Sequence, residues 1–227
     1  LLLNMDYALD NDYPVSESLK ALLRPYQAEG FRWIKTLKQC GFGGILADEM
    51  GLGKSVQLIA LLLSRYQRNT GEMGDGSLGP SLIVCPASLV YNWGAEFTKF
   101  APSFNAVVVA GTKAERRTAI GRAFRADEPT VLITSYDLLR RDVDDYTANE
   151  QRFNVMALDE AQYIKNHTTK IAKAVKAVAA DHRFALTGTP IENRLSELWS
   201  IFDFLMPGLL GSYKRFHERY ELPISNG

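Results

Sequence analysis

From Gly44 onward, the sequence alternates short β-branched or aliphatic runs with longer amphipathic segments. The short runs have the length of buried strands, and the segments between them repeat their apolar residues at helical spacing. This alternation is typical of βαβ units, in which parallel strands form a sheet and helices cover it. We predict strands at 44–47, 81–85, 106–109, 130–134, 154–158 and 183–186, and helices near 54–68, 89–100, 113–125, 170–180 and 194–206. The expected fold class is α/β with a mostly parallel sheet.

Length and charge limit the classes of function. The 227 residues suffice for one large α/β domain. Lys plus Arg (26) equals Asp plus Glu (26), so no overall positive field draws the chain to nucleic acid, and any such contact must be local. Cys40 and Cys85 form no CxxC pair, which argues against a zinc site or a disulfide framework. The longest apolar run, 58–63, is too short to span a bilayer, so no membrane partner is expected.

Residues 48–55 indicate a phosphate-binding loop, because they follow the first predicted strand and open the first long helix. Glycines there let backbone N–H groups close around phosphate oxygens, and the helix N-terminus adds positive potential. Lys54 is suited to reach terminal phosphates, and the Ser55 hydroxyl is suited to bind magnesium. The usual pattern has glycine at the position of Asp48. A glycine-rich turn that caps the helix is therefore the alternative, although the strand–loop–helix context favours phosphate binding.

Two adjacent carboxylates, Asp159 and Glu160, end the apolar strand predicted at 154–158. Buried charge is costly, so such a pair needs a reason. A magnesium ion held partly by Asp159 would supply one, with Glu160 as the general base that orients the attacking water. The alternative is an ordinary strand end, where acidic residues meet solvent or cap the next helix. Together with the lysine loop, the pair favours nucleotide hydrolysis.

Three further patterns carry weaker signals. Thr187, Gly188 and Thr189 follow the last predicted strand, where their hydroxyls are suited to report nucleotide state to neighbouring loops, or where they form an ordinary structural turn. Trp93 and Trp199 lie on apolar helix faces and are predicted to be core residues. A set of four arginines is interpreted as the solvated face of one helix, with a DNA or partner contact as the alternative. These are residues 116, 117, 122 and 125.

Six segments in order along the chain resemble the first RecA-like lobe of Swi/Snf-type ATPases in helicase superfamily two. They are 23–27, 48–55, 83–89, 133–137, 159–162 and 186–193. In that family an aspartate at the position of Asp48 is usual. Many members have histidine at the position of Gln162. Glutamine at this position resembles the bacterial members of the family. The resemblance covers nearly the whole chain and implies a RecA-like P-loop domain with helices on both faces of the sheet.

The resemblance also implies a nucleotide site. Gln27 matches the glutamine that recognises adenine, which makes ATP the implied nucleotide, together with Mg2+. Lys54, Asp159 and Glu160 match the catalytic residues, and Ser55 and Asp159 match the metal ligands. The full set of implied nucleotide contacts is Gln27, Asp48, Met50, Gly51, Leu52, Gly53, Lys54 and Ser55. The implied coupling residues are Gln162, Thr187, Gly188 and Thr189.

In the same family, two loops touch the backbone of one DNA strand. The matching residues here are Pro86, Ala87, Ser88, Thr134 and Ser135. Backbone N–H and hydroxyl donors suit that task because they grip phosphates without reading sequence. Ser88 can equally cap the helix that follows, so a structural role is the alternative.

The resemblance implies an ATP-dependent translocase that moves along double-stranded DNA and displaces bound proteins. Its implied partners are double-stranded DNA, a second RecA-like lobe in the same polypeptide and a DNA-bound protein complex. We predict a lead-in at 1–22, the ATP-binding lobe at 23–207, and the start of a connection toward the second lobe at 208–227. By itself this chain is expected to be nearly inactive, and the protein is expected in the cytoplasm, on the nucleoid of a bacterium, or in a eukaryotic nucleus.

Two other functions stay open at this point. One is a strand-separating or RNA-directed helicase, because the nucleotide chemistry is shared. The other is a nucleotide-gated recruitment scaffold with little turnover. Retention of both Asp159 and Glu160 argues against the scaffold, since a switch can dispense with the water-activating carboxylate.

Overall fold

The computed structural model describes residues 20–47, 53–66, 79–188 and 194–225. Six strands run through these segments: β1 (Gly44–Leu46), β2 (Ser81–Cys85), β3 (Asn105–Val108), β4 (Thr130–Ser135), β5 (Phe153–Asp159) and β6 (Ala180–Leu186). Every pair of neighbours is parallel, and the sheet has the order β1-β6-β5-β2-β4-β3. The α/β class and the parallel sheet agree with the prediction.

Helices precede the first strand, occupy the connections between strands and follow the last strand. They are α1 (Pro25–Gln39), α2 (Lys54–Tyr66), α3 (Val90–Phe100), α4 (Lys113–Ala123), α5 (Tyr136–Arg141), α6 (Val143–Thr147), α7 (Lys170–Ala177), α8 (Leu195–Leu205) and α9 (Tyr213–Phe216). The last of these continues through a π-helical turn, His217–Glu221, into Leu222–Ser225. Within the described segments, no helix is long and apolar enough to cross a membrane.

The sheet divides the core into two layers, because successive residues of each strand face opposite sides. Ile83 and Val155 pack in one layer with apolar residues of α1, α2 and α3. Leu82 and Met156 pack in the other with residues of α4, α5, α6, α7 and α8. The central strands are buried on both faces, which explains their continuous apolar sequences.

Two boundaries differ from the prediction for a physical reason. The last strand begins at Ala180 rather than 183, because it pairs with β5 from Phe153 onward. Helix α7 therefore ends at Ala177. The short helices after β4 lack enough periodic sequence to be recognised individually, and the first of them is capped by Ser135, whose Oγ accepts a hydrogen bond from Leu138 N at 3.3 Å.

The interpretation of the four arginines as a solvated face is wrong for Arg116. This side chain is buried and forms a two-point ion pair with Asp142, with Nε–Oδ2 at 2.5 Å and Nη2–Oδ1 at 2.9 Å. Arg117 is exposed, and its Nε lies 3.3 Å from Asp145 Oδ1. The helix therefore turns one basic residue inward to meet the aspartate that follows α5.

The parallel arrangement brings the carboxyl ends of all strands to one edge of the sheet. The lysine loop follows β1, the Ala87–Leu89 turn follows β2, and the acid pair ends β5. Ligands of open α/β sheets bind at this edge. The fold therefore gathers the predicted functional segments there.

Candidate functional site

A cleft of about 310 Å³ lies at this edge between α2, α3 and the end of β5. Its lining combines the described end of the lysine loop with the acid pair. The lining residues are Gly53, Lys54, Ser55, Trp93, Glu96, Asp159 and Glu160. The two elements that the sequence singles out thus share one cleft, as binding of a single metal–phosphate group requires.

Asp159 is held in one orientation by hydrogen bonds to both of its carboxylate oxygens. Trp93 Nε1 donates to Oδ2 at 2.9 Å, and the backbone N–H of Glu160 donates to Oδ1 at 3.0 Å. Burial, together with the charge of Glu160, raises the pKa of Asp159 above its usual value, although the Trp93 hydrogen bond and the charge of Lys54 lower it. The carboxylate is therefore oriented beside the lysine before any ligand binds.

Trp93 and Glu96 were not predicted as site residues. Trp93 is buried, as predicted, but its indole N–H reaches Asp159, and a buried indole commonly needs such a partner. One Glu96 oxygen, Oε2, is buried and has no hydrogen-bond partner within the described part of the chain. The two residues are three positions apart on α3, so they lie on one helix face. That spacing indicates a common face but does not reveal which strand end the face covers.

Glu160 adopts a left-handed backbone conformation, with φ 53° and ψ 57°. Its Oε2 accepts a hydrogen bond from Gln162 Nε2 at 2.7 Å. Gln162 Oε1 in turn accepts from Thr187 Oγ1 at 3.0 Å. Two consecutive side-chain hydrogen bonds therefore connect Thr187, after β6, to the Glu160 carboxylate through Gln162. Gly188, which follows Thr187, is half-buried.

Gln27 is buried against the last glycine of the lysine loop. Its Oε1 accepts a hydrogen bond from Arg24 N at 2.9 Å, which orients the amide at the start of α1. Gly53 has φ 72°, and a Cβ placed there would lie 2.3 Å from Gln27 Nε2. Gly53 is therefore required both by its backbone conformation and by the close approach of Gln27.

The residues matched to DNA contacts fall into two groups. Ala87 and Ser88 are exposed in the turn after β2, and Pro86 is half-buried. Thr134 and Ser135 are buried at the end of β4. Ser88 does not cap α3, because the N-cap position is Leu89 and no side chain caps it.

Several predicted site residues lie outside the described residues. They are Asp48, Met50, Gly51, Leu52 and Thr189. Among the residues that the structure describes, no three His, Cys, Asp or Glu side chains cluster to hold a metal ion by themselves. Magnesium in nucleotide sites is usually held by few protein groups together with phosphates and water. Ser55 and Asp159 in one cleft, with the unpartnered Glu96 oxygen nearby, fit that mode of binding.

The chain resembles proteins of one family along nearly its whole length. A family model described as the SNF2-related domain matches residues 26–227. The TATA-binding protein-associated factor MOT1 of Saccharomyces cerevisiae is 43% identical over 227 residues, which cover 97% of this chain and 12% of that protein. The putative ATP-dependent helicase/translocase YwqA of Bacillus subtilis is 42% identical over 215 residues, which cover 94% of this chain and 22% of that protein.

A solved structure extends the similarity to three dimensions. The SWI2/SNF2 ATPase core of Sulfolobus solfataricus in complex with dsDNA superposes with a TM-score of 0.79 at 41% sequence identity. The match covers 95% of this chain and 42% of that chain. It confirms the predicted RecA-like fold class, with helices on both faces of a parallel sheet.

Proposed function

Because this chain belongs to the SNF2-related, Swi/Snf-type family of ATPases, we propose that it is the ATP-binding lobe of a motor that moves along double-stranded DNA. In this proposal, ATP hydrolysis drives translocation, and translocation displaces proteins bound to the DNA. The observation that carries the proposal is the shared cleft of Lys54, Asp159 and Glu160. That combination supplies a phosphate-binding cation and a general base, which hydrolysis of a triphosphate needs.

Each residue of the cleft has a role in this proposal. Gln27 selects the adenine edge, and Lys54 contacts the terminal phosphates with residues 48–52. Ser55 and Asp159 would hold Mg2+, which when bound neutralises charge on the phosphate oxygens. Glu160 accepts the proton of the attacking water, and its hydrogen bond with Gln162 keeps the carboxylate oriented for that purpose.

The Thr187–Gln162–Glu160 hydrogen bonds support a coupling role for this segment. Thr187 begins the connection that follows β6, so a movement of that connection reaches the Glu160 carboxylate through one intervening side chain. We propose that Gly188 and Thr189 belong to the same device. The device would report the state of the nucleotide site to loops at the edge of the sheet.

The proposed DNA contacts lie at the same edge. Exposed Ala87 and Ser88 offer backbone and hydroxyl donors to one DNA strand, and we propose that half-buried Pro86 completes this surface. Thr134 and Ser135 are buried, so in this proposal they support the surface from the end of β4. The dsDNA in the Sulfolobus complex and the TATA-binding protein in the name of MOT1 support DNA and a DNA-bound protein as partners. The chain spans 12% and 22% of the two curated relatives above. A second lobe, which would bring arginines that stabilise the transferred phosphate, is therefore part of the proposal.

The test is ATP turnover by the full-length protein that contains this chain. We expect hydrolysis to be stimulated by double-stranded DNA and to rise with DNA length before it saturates. Lys54→Ala should abolish turnover, whereas Lys99→Ala, on an exposed position of α3, should leave it unchanged. Undiminished DNA-stimulated hydrolysis in Lys54→Ala would refute the assignment of the site. Strand separation, or stimulation by RNA alone, would favour a helicase instead.

A further inference from the structure

Tyr136 lies next to the acid pair, although it belongs to a different strand connection. It is the first residue of α5, directly after β4, and its side chain is 2% exposed. Strand β2 lies between β4 and β5 in the sheet. The Tyr136 side chain therefore crosses the end of β2 to reach the end of β5.

The Tyr136 hydroxyl contacts the backbone of the two catalytic carboxylates. It donates a hydrogen bond to the carbonyl oxygen of Asp159 at 2.7 Å and lies 3.5 Å from that of Glu160. Burial, followed by the charge of Asp159, raises the pKa of Tyr136 well above its usual value. Both acceptors are backbone carbonyl oxygens, so the hydroxyl is the donor in this contact.

The ring of Tyr136 also has a defined contact. It stacks on Tyr163 with ring centroids 4.7 Å apart and an interplanar angle of 3°. Tyr163 is half-exposed in the short helical turn that follows Glu160, Ala161–Ile164. Tyr136 thus contacts this turn twice, by a hydrogen bond to the Asp159 carbonyl and by a stack on Tyr163, three residues after Glu160.

The backbone at Glu160 needs such support. A residue other than glycine in a left-handed conformation is strained and persists only when its surroundings determine it. In this conformation Glu160 lines the cleft, and its carboxylate accepts a hydrogen bond from Gln162. Without a fixed Asp159 carbonyl, the turn can relax toward an ordinary conformation that points the carboxylate elsewhere.

We propose that Tyr136 is a positioning residue for ATP hydrolysis, which fixes the strained Asp159–Glu160 turn and thereby the orientation of the general base. The inference rests on the proposed function, since it assigns Glu160 as that base. It predicts an effect on turnover rather than on nucleotide or DNA affinity, because Tyr136 does not line the cleft. Loss of one neutral hydrogen bond corresponds to a fall of about twofold to tenfold in kcat.

The experiment compares Tyr136→Phe with Tyr213→Phe in the full-length protein. Both substitutions remove one hydrogen-bonded hydroxyl, and that of Tyr213 donates to Glu221 at 3.0 Å, away from the residues that line the cleft. For Tyr136→Phe we expect kcat to fall about twofold to tenfold, with and without DNA alike. The KM for ATP and the Kd for DNA should stay within twofold of the wild type. Tyr213→Phe should match the wild type in kcat.

A second variant, Tyr163→Leu, keeps the Tyr136 hydroxyl but removes the stacked ring. We expect a smaller fall in kcat in the same direction, with the melting temperature recorded for every variant. Unchanged kcat in Tyr136→Phe, a rise in KM alone, or a loss confined to the DNA-stimulated rate would each overturn the inference. If the wild type itself fails to hydrolyse ATP in the presence of DNA, the proposed function fails, and this inference with it.

Discussion

Replacing Trp93 with Phe removes one specific contact of the nucleotide site and keeps an aromatic ring in the core. The indole Nε1 donates to Asp159 Oδ2 at 2.9 Å, and the Trp93 side chain packs near Phe97 in the layer below α3. Phe fills most of that volume but has no donor. Asp159 then keeps its Glu160 N–H partner and loses the one that fixes its other oxygen.

The size of the effect follows from the strength of a hydrogen bond to a charged acceptor. Such a bond contributes about 1.5–3 kcal/mol when buried, and less where water reaches the acceptor. Asp159 lines an open cleft, so we expect the variant to lose about 1–2 kcal/mol of transition-state stabilisation. This loss corresponds to a fall of about 5- to 30-fold in kcat/KM for ATP.

The same substitution should change the pH dependence. Burial raises the pKa of Asp159 and the Trp93 hydrogen bond lowers it, so loss of the donor raises the pKa further. The carboxylate is then protonated at a higher pH, and the acidic limb of the pH–rate profile moves toward neutral pH. The concentration of Mg2+ needed for half-maximal activity should rise in parallel, because a proton competes with the metal.

The assay is ATP turnover against pH and Mg2+ concentration for the full-length wild type, Trp93→Phe and Trp199→Phe. Trp199 is the matched control, since it is also buried and its Nε1 donates to Gly211 O at 3.2 Å, outside the cleft. Both variants should lose thermal stability, but only Trp93→Phe should shift the pH profile. Equal profiles in both variants would refute the role assigned to the Trp93–Asp159 hydrogen bond.

Two further predictions concern the surroundings of the cleft. Gly53→Ala should weaken ATP binding at least tenfold in a titration with a fluorescent ATP analogue, because its Cβ would lie 2.3 Å from Gln27 Nε2 at a φ of 72°. Gly211 has a similar φ of 69°, but a Cβ there would lie at an ordinary 3.8 Å from Arg215 Cδ. The Gly211→Ala variant should therefore bind ATP as tightly as the wild type. Equal weakening in both variants would contradict the role of Gln27. Burial, followed by the charge of Asp159, raises the pKa of Cys85 to about 12. At pH 8 its peptide should therefore stay unlabelled by a thiol reagent until the protein unfolds, as measured by mass spectrometry, and fast labelling of the native protein would contradict this.

The sequence alone predicted those parts of the site whose position depends only on which residues follow each strand along the chain. Asp159 and Glu160 end a strand, and Lys54 opens a helix after one, so the rule that parallel strands end at one edge brings them together. The positions of Trp93 and Tyr136 depend on which strands are neighbours. Their contacts with the acid pair require β2 to lie beside both β4 and β5, and periodicity does not reveal that order.

The buried ion pair shows the same limit. Arg116 sits among other basic residues, so its own helix favours an exposed position. Its partner, Asp142, is 26 residues away, beyond a short helix that the pattern did not delimit. Only the packing of α4 against α6 decides that this arginine turns inward. The domain boundaries and the DNA contacts remain predictions, because they concern surfaces that meet other parts of the protein or other molecules.

The short strand β1 has a consequence for local stability. It is three residues long, stands at the edge of the sheet, and joins it through the register of Gly44–Leu46 with β6. Segments held by few backbone hydrogen bonds open more readily than the whole domain, and their amide protons exchange sooner. A ligand that bridges Lys54 to the acids of β5 would tie this edge to the centre of the sheet. Bound nucleotide would then slow the local opening of β1, the strand that the phosphate-binding loop follows.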